Sequence, residues 1–305
     1  MNNVEFGIGL RRLDSVAADA RNAEELGYEF ISAGEHVFFH GPTGNGLISL
    51  SAAAGATTRI KLMSAITLVP LYPAALLAKQ VAALDLLSDG RFHFGVGVGG
   101  EFDKEFEACG VKVSERGART DEALRVMKRL WSEDDVFFEG RFTQLPGVTL
   151  SPKPVQQPHP PVWISGRSEA AKRRCALYGN GWLPYMYTPE HLASSLQTID
   201  GFAKEAGRSE PVIPGLFIFF AVHEDRDQGT KMAIDRLSVQ YNQDFSKLAG
   251  RYAVSGNPQD CIDRLKEYVQ SGARTIILNS ACPSDYTTEN ERLMANEVLP
   301  ALREL

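Results

Sequence analysis

Histidine is the side chain that changes protonation near neutral pH, so Glu35-His36, just beyond a short β-rich run, is a natural place for acid–base chemistry. A hydrogen-bonded loop histidine would look the same in sequence. His36 and His40 have the i, i+4 spacing of a zinc helix, but Val37-Phe38-Phe39 supplies no glutamate and Gly41-Pro42 forbids a continuing helix, so a metal is not expected. Ser165-Gly166-Arg167-Ser168 also follows a β-rich run and opens a helix. Backbone N–H groups, two hydroxyls and a guanidinium could converge there on a phosphate; equally, Ser168 could only cap the helix with Arg167 in solvent.

Gly95-Val96-Gly97-Val98-Gly99-Gly100 satisfies GxGxxG after a strand, but it ends the fourth run and not the first. The acidic residues further on, Asp121 and Glu122, fall inside a helical pattern. Two readings stay open: small residues that let a crowded strand pack, or bare backbone that approaches a flat ligand. Glu35, Glu101 and Asp103 could form a glycosidase pair on a barrel, where the separation of the carboxylates would decide. There is no GxxxxGK[ST] phosphate loop and no GxSxG nucleophile elbow.

These segments sit on a repeating pattern of a short β-rich run followed by an amphipathic helix. The runs are 4–9, 30–33, 60–68, 91–98, 162–166, 181–184, 215–222 and 274–279. Val16, Ala20 and Ala23 mark the first helix, which stops at Gly27, and Leu77, Val81 and Leu84 mark one that Pro73 opens. Further helices are expected near 119–131, 168–178, 188–206, 229–241 and 258–270, the last with Asn257-Pro258 as cap and first helical residue. Phe137 to Phe142 reads as an appended hairpin, and prolines 152, 154, 158, 160 and 161 as an extended lead-in to the next strand. Eight runs predict an α/β fold, a (β/α)8 TIM barrel in a single domain over 1–305, with a doubly wound sheet as the topology that shares its periodicity. A barrel displays its active groups just after the C-terminal ends of its strands, which is where the candidate residues lie.

The chain has 305 residues with 32 Lys+Arg against 38 Asp+Glu, a formal net charge of -6, and no basic cluster that would neutralise nucleic acid or an anionic membrane. Its longest apolar block, Leu216 to Val222, is far below the roughly 20 residues of a membrane span. Met1 to Leu10 reads as a strand and not as a secretory signal. Cys109, Cys175, Cys261 and Cys282 are far apart with no CxxC, as expected of reduced thiols in a cytoplasmic protein.

Several dispersed segments together resemble the luciferase-like flavin monooxygenase superfamily, which includes bacterial luciferase and enzymes using the deazaflavin coenzyme F420. They are Ala23-Glu24-Glu25-Leu26-Gly27-Tyr28 before Gly34-Glu35-His36, Leu84-Asp85-Leu86-Leu87-Ser88-Asp89-Gly90-Arg91-Phe92, Arg116 to Glu122, Phe138 to Phe142, Pro152-Lys153-Pro154 and Asn180-Gly181-Trp182. The resemblance implies a TIM barrel, commonly a homodimer, with flavin at the C-terminal ends of the strands. It makes His36 the catalytic residue, with Glu35 beside it where many relatives have Asp. It places Ala65-Ile66 at a non-proline cis peptide against the flavin ring, and Gly97, Val98, Gly99 and Glu101 on the flavin-side loop. Ser165, Gly166, Arg167 and Ser168 match the phosphate loop, with Arg167 in place of a small residue.

The implied activity is a two-component monooxygenase that takes reduced FMN from a separate flavin reductase and uses O2 on a small organic substrate. The alternatives are F420-dependent hydride transfer and a non-catalytic flavin-binding protein. The loops Phe38 to Ile48, Tyr185 to Thr188 and Asp244 to Ser255 are expected to shape the substrate pocket, and Phe39, Tyr185 and Tyr187 to suit an apolar ligand.

Overall fold

Eight parallel strands close into a ring, and β-branched and aromatic residues are frequent in most of them. They are β1 (Glu5–Gly9), β2 (Phe30–Ala33), β3 (Lys61–Ser64), β4 (Phe92–Gly97), β5 (Val162–Ile164), β6 (Gly181–Trp182), β7 (Ile213–Val222) and β8 (Thr275–Ser280). The computed structural model describes residues 4–10 and 12–303, so Met1–Asn3 of the expected first strand and residues 304–305 lie outside the described residues. Pairing of β8 with β1, Glu5 opposite Thr275, closes the ring, and β6 meets β7 at Gly181 and Ile213. Closure rules out the doubly wound sheet.

Between the strands run α1 (Val16–Glu25), α2 (Gly46–Ala56), α3 (Ala74–Leu87), α4 (Asp103–Ala108), α5 (Arg116–Ser132), α6 (Glu169–Tyr178), α7 (Pro189–Glu205), α8 (Arg226–Tyr241), α9 (Ala249–Tyr252), α10 (Pro258–Gln270) and α11 (Thr287–Leu293). The amphipathic ones fall where periodicity placed them, and Asn257 forms a capping box with Asp260 at the start of α10. Periodicity missed α2, because Leu47, Ile48, Leu50 and its alanines leave no polar face to alternate with. The loop expected over 38–48 therefore ends at Asn45, the cap of α2.

Inside the barrel Phe30, Met63, Trp163, Leu183 and Ile277 pack together, with half-buried Ala65 and Phe217 against them. His93 joins this layer: Trp163 Nε1 donates to its Nδ1 at 3.0 Å, and its ring meets Phe30 edge-on at 4.9 Å. Desolvation, reinforced by the charge of Lys61, pushes the His93 pKa down to about 3.

The proline-rich passage is a packed lead-in. Phe94 N donates to Pro161 O at 2.8 Å, and the Gln156 amide donates to Asp85 Oδ1 and Phe92 O, each at 2.7 Å. Val136–Glu139 and Gln144–Val148 form the appended antiparallel hairpin. The third run does not continue unbroken from 60 to 68: β3 stops at Ser64, and Thr67–Leu68 resumes beside Val96 and Gly97 of β4. The peptide between them, Ala65–Ile66, is cis.

Candidate active site

β2 delivers its C-terminal end to the mouth of the barrel, and Gly34 lets the chain pass the interrupted third strand, since a Cβ there would lie 2.7 Å from Ala65 O. His36 follows, its side chain 19% exposed. Its Nδ1 lies 3.3 Å from both oxygens of Glu105, a fully buried carboxylate on α4, which also accepts the Val37 N–H at 3.1 Å. On the other side of the ring Nε2 is 3.9 Å from Glu101 Oε2. Phe39 stacks on the imidazole at 4.3 Å, and Thr43 Oγ1 donates to His36 O at 3.1 Å.

Glu35, next in the chain, is engaged elsewhere. Its Oε1 accepts the Leu68 N–H and its Oε2 the Tyr72 hydroxyl, each at 2.9 Å. Burial raises its carboxyl above the usual range, and those two donors oppose the shift. Tyr72 in turn accepts from Asn45 Nδ2 at 3.1 Å, while Asn45 Oδ1 caps α2 at Ile48 N. The run Asn45, Tyr72, Glu35 thus ties the start of α2 to the second piece of the third strand. These residues and Cys109 line a cleft of about 360 Å³ that also reaches His36.

The glycines of β4 explain the interrupted strand. A Cβ on Gly95 would stand 1.7 Å from Ser64 O, and one on Gly97 would stand 2.0 Å from Ile66 Cδ1. Small residues are required there for packing, the first of the two readings for Gly95 and Gly97. Asp121 and Glu122, the acidic residues after this glycine run, are occupied: Asp121 pairs with Arg174 at 2.6 Å and Glu122 accepts from Arg141 N and Phe142 N. Ala65, Ile66, Val98 and Gly99 are all half-buried around the mouth. Beside Ile66, the Thr67 hydroxyl is buried with no hydrogen-bond partner among the described residues.

At the end of β5, Ser168 Oγ accepts Ala171 N–H at 3.2 Å, so it is a helix cap. Ser165 and Gly166 are half-buried, and Gly166 has φ +115, a region that favours glycine. Arg167 is exposed, and its guanidinium lies 5.1 Å over the Tyr185 ring. The Tyr185 hydroxyl donates to Glu101 Oε1. Glu101 therefore joins His36 and Tyr185 across the mouth, while Glu35 is engaged by Leu68 and Tyr72. Beyond Tyr185, Phe219 meets Phe217 at 5.6 Å and Tyr241 at 6.0 Å, edge-on. Tyr187 packs on buried Trp182. The segment expected as loop over 244–255 carries α9 and the strand Ala253–Gly256, which extends the sheet beside β7.

Sequence reasoning brought His36 and Glu101 to one place and missed Glu105, Tyr72 and Asn45. The signal for Glu105 was weak: it is one of three acidic residues in a six-residue helix, with Asp103 and Glu107, and no periodicity singles it out. Among the described residues no group of three or more His, Cys, Asp and Glu is placed to hold a metal, and no helix is long and apolar enough to cross a membrane.

Residues 5–275 match the family described as Luciferase-like monooxygenase. The chain is 32% identical over 180 residues to the FMNH(2)-dependent dimethylsulfone monooxygenase of Pseudomonas putida, covering 58% of this chain and 48% of that protein. It is 26% identical to the F420-dependent glucose-6-phosphate dehydrogenase of Microbacterium testaceum, covering 92% and 91%. Other curated relatives, at 31% identity, are matched over 63% of their length. Thus the chain spans less than two thirds of several relatives. Among solved structures, the monooxygenase RslO1 from Streptomyces bottropensis superposes with a TM-score of 0.86 at 25% identity, covering 97% of this chain and 99% of that one.

Proposed function

Because the chain belongs to the luciferase-like monooxygenase family, we propose that it is an oxidoreductase that holds reduced FMN at the C-terminal mouth of its barrel and oxidises a small organic substrate with O2. The observation that carries this reading is His36, held at Nδ1 by buried Glu105 and facing Glu101 with Nε2. A barrel whose mouth offers one oriented imidazole and no metal-ligand cluster among the described residues is suited to serve a redox cofactor.

The residues fit such a group. Half-buried Ala65, Ile66, Val98 and Gly99, with Gly97 buried beneath Ile66, and the buried Thr67 hydroxyl, without a partner among the described residues, offer an apolar surface with one polar atom. Ser165, Gly166, Arg167 and Ser168 would take the phosphate at the start of α6, where N–H groups and the helix dipole favour an anion. When bound, reduced FMN supplies the electrons and the site of oxygen activation. His36 Nε2 would accept or return a proton there, and Glu101, 3.9 Å from Nε2 and accepting from the Tyr185 hydroxyl, would stabilise the imidazolium formed when Nε2 takes the proton. Phe39, Tyr185, Phe217, Phe219 and Tyr241 would exclude water and favour an apolar substrate.

A flavin reductase would deliver the reduced cofactor. A second copy of the chain would cover Ile48 of α2 and Leu76 and Leu87 of α3, which are exposed on neighbouring helices. Cys109, Cys175 and Cys261 are free thiols, which suits a reducing cytoplasm. F420-dependent hydride transfer is the second reading, favoured by the Microbacterium testaceum relative, whose match runs nearly the full length of both chains. The test is His36→Ala: turnover should fall while binding of the reduced cofactor is kept. Turnover equal to that of the unsubstituted protein would remove His36 from the chemistry.

A further inference from the structure

His36 has a carboxylate at hydrogen-bond distance on Nδ1 only; on the other side Glu101 Oε2 stands 3.9 Å from Nε2, too far for a hydrogen bond. Both Glu105 oxygens lie 3.3 Å from Nδ1, and the carboxylate is itself fixed, fully buried and accepting the Val37 N–H at 3.1 Å. A carboxylate only accepts, so the proton of a neutral imidazole placed against it sits on Nδ1. We propose that Glu105 is the positioning residue that sets the His36 tautomer: Nδ1–H toward Glu105, and a lone pair on Nε2 available at the barrel mouth.

The arrangement follows from the fold. α4 hangs from the loop after β4 and the His36 segment from the end of β2, and the carboxylate joins them through one side-chain and one backbone contact. Phe39 stacked on the ring removes the rotation that would exchange the two nitrogens. An imidazole with its proton on Nε2 would instead present a donor at the mouth and set a lone pair against Glu105. A carboxylate that orients a histidine through Nδ1 acts on the base and not on the substrate.

The tautomer assignment stands on the cofactor-free protein; its effect on turnover rests on the function proposed above. The experiment is nitrogen-15 NMR of the histidine rings in the cofactor-free protein at a pH where His36 is neutral, with its signals assigned by their loss in His36→Asn. The unsubstituted protein should show His36 as the Nδ1–H form. Glu105→Ala should shift it toward the Nε2–H form that predominates in free imidazole side chains. Turnover with reduced cofactor should fall about 10- to 100-fold, with cofactor affinity retained. Glu105→Gln keeps the side-chain volume and an acceptor for Val37, so it supplies a folded variant if the alanine protein is unstable; it should show intermediate turnover. An Nε2–H form in the unsubstituted protein, or an unchanged ring pattern in Glu105→Ala, overturns the proposal. Full turnover of His36→Asn beside the expected ring pattern would defeat the proposed function and leave the tautomer assignment intact.

Discussion

Leu68 gives its backbone N–H to Glu35 Oε1 at 2.9 Å across 33 residues of sequence, so the carboxylate beside His36 is bound to the second piece of the third strand. Neighbours in sequence thus divide the work. His36 presents an imidazole at the mouth, and Glu35 holds the wall against which the mouth is built.

Glu35→Ala should therefore act on stability and cofactor binding. It leaves the Leu68 N–H buried without an acceptor, which costs about 1–3 kcal/mol. Denaturant unfolding should show that loss, and affinity for reduced cofactor should fall with it. A variant of unchanged stability that loses only turnover would put Glu35 in the chemistry.

His93 predicts an acid-sensitive barrel. Its pKa is depressed to about 3 in the folded protein, against an ordinary unfolded value near 6.5, so the folded state stays neutral where the unfolded state takes a proton. Its contribution is full above the unfolded value and is lost as pH falls toward 3, at up to about 1.4 kcal/mol per pH unit. Gln at this position keeps an acceptor for Trp163 and does not titrate. Unfolding midpoints should converge for the two proteins as pH falls from 7 to 4; parallel curves would show that His93 is not held neutral.

Much of the fold was legible because β/α alternation is a local signal, and all eight runs became barrel strands. Closure was not, since it depends on Glu5 meeting Thr275 across 270 residues. The quoted family segments mostly serve architecture. Asp85 accepts from Gln156 N and the Gln156 amide, and Arg91 donates to Ala54 O, Thr57 O and Ile60 O. At the site, His36 and Glu101 could be named from their places after strands. Glu105 could not, because its role exists only through contact with a loop 69 residues away.

Gly95 and Gly97 should fail differently. A Cβ on Gly95 runs into the backbone of Ser64, which cannot move without disturbing β3, and the cost should reach about 3 kcal/mol or more. A Cβ on Gly97 meets the end of the flexible Ile66 side chain. Gly97→Ala should fold, with Ile66 pushed toward the cofactor surface and weaker binding of reduced cofactor. Equal thermal stability of Gly95→Ala and the unsubstituted protein would contradict the packing account.

Arg167 distinguishes a phosphate site from a mere helix cap. Arg167→Ala should weaken reduced FMN about tenfold, within the range of one charge-assisted hydrogen bond, and leave reduced riboflavin unaffected. Anaerobic fluorescence titration reads both. Equal losses for the two ligands would assign Arg167 to holding Tyr185 alone.

Whether the barrel mouth holds reduced FMN for oxygen chemistry can be read from anaerobic titration of the protein with reduced FMN and, separately, reduced F420, followed by admission of air while absorbance and oxygen uptake are recorded. The protein should bind reduced FMN selectively and show oxygen uptake that, with a suitable substrate, is coupled to its loss, with uptake that responds to His36→Ala. Selective binding of reduced F420 with no oxygen uptake would contradict this and move the site to hydride transfer. Binding without turnover of any substrate would make it a flavin carrier.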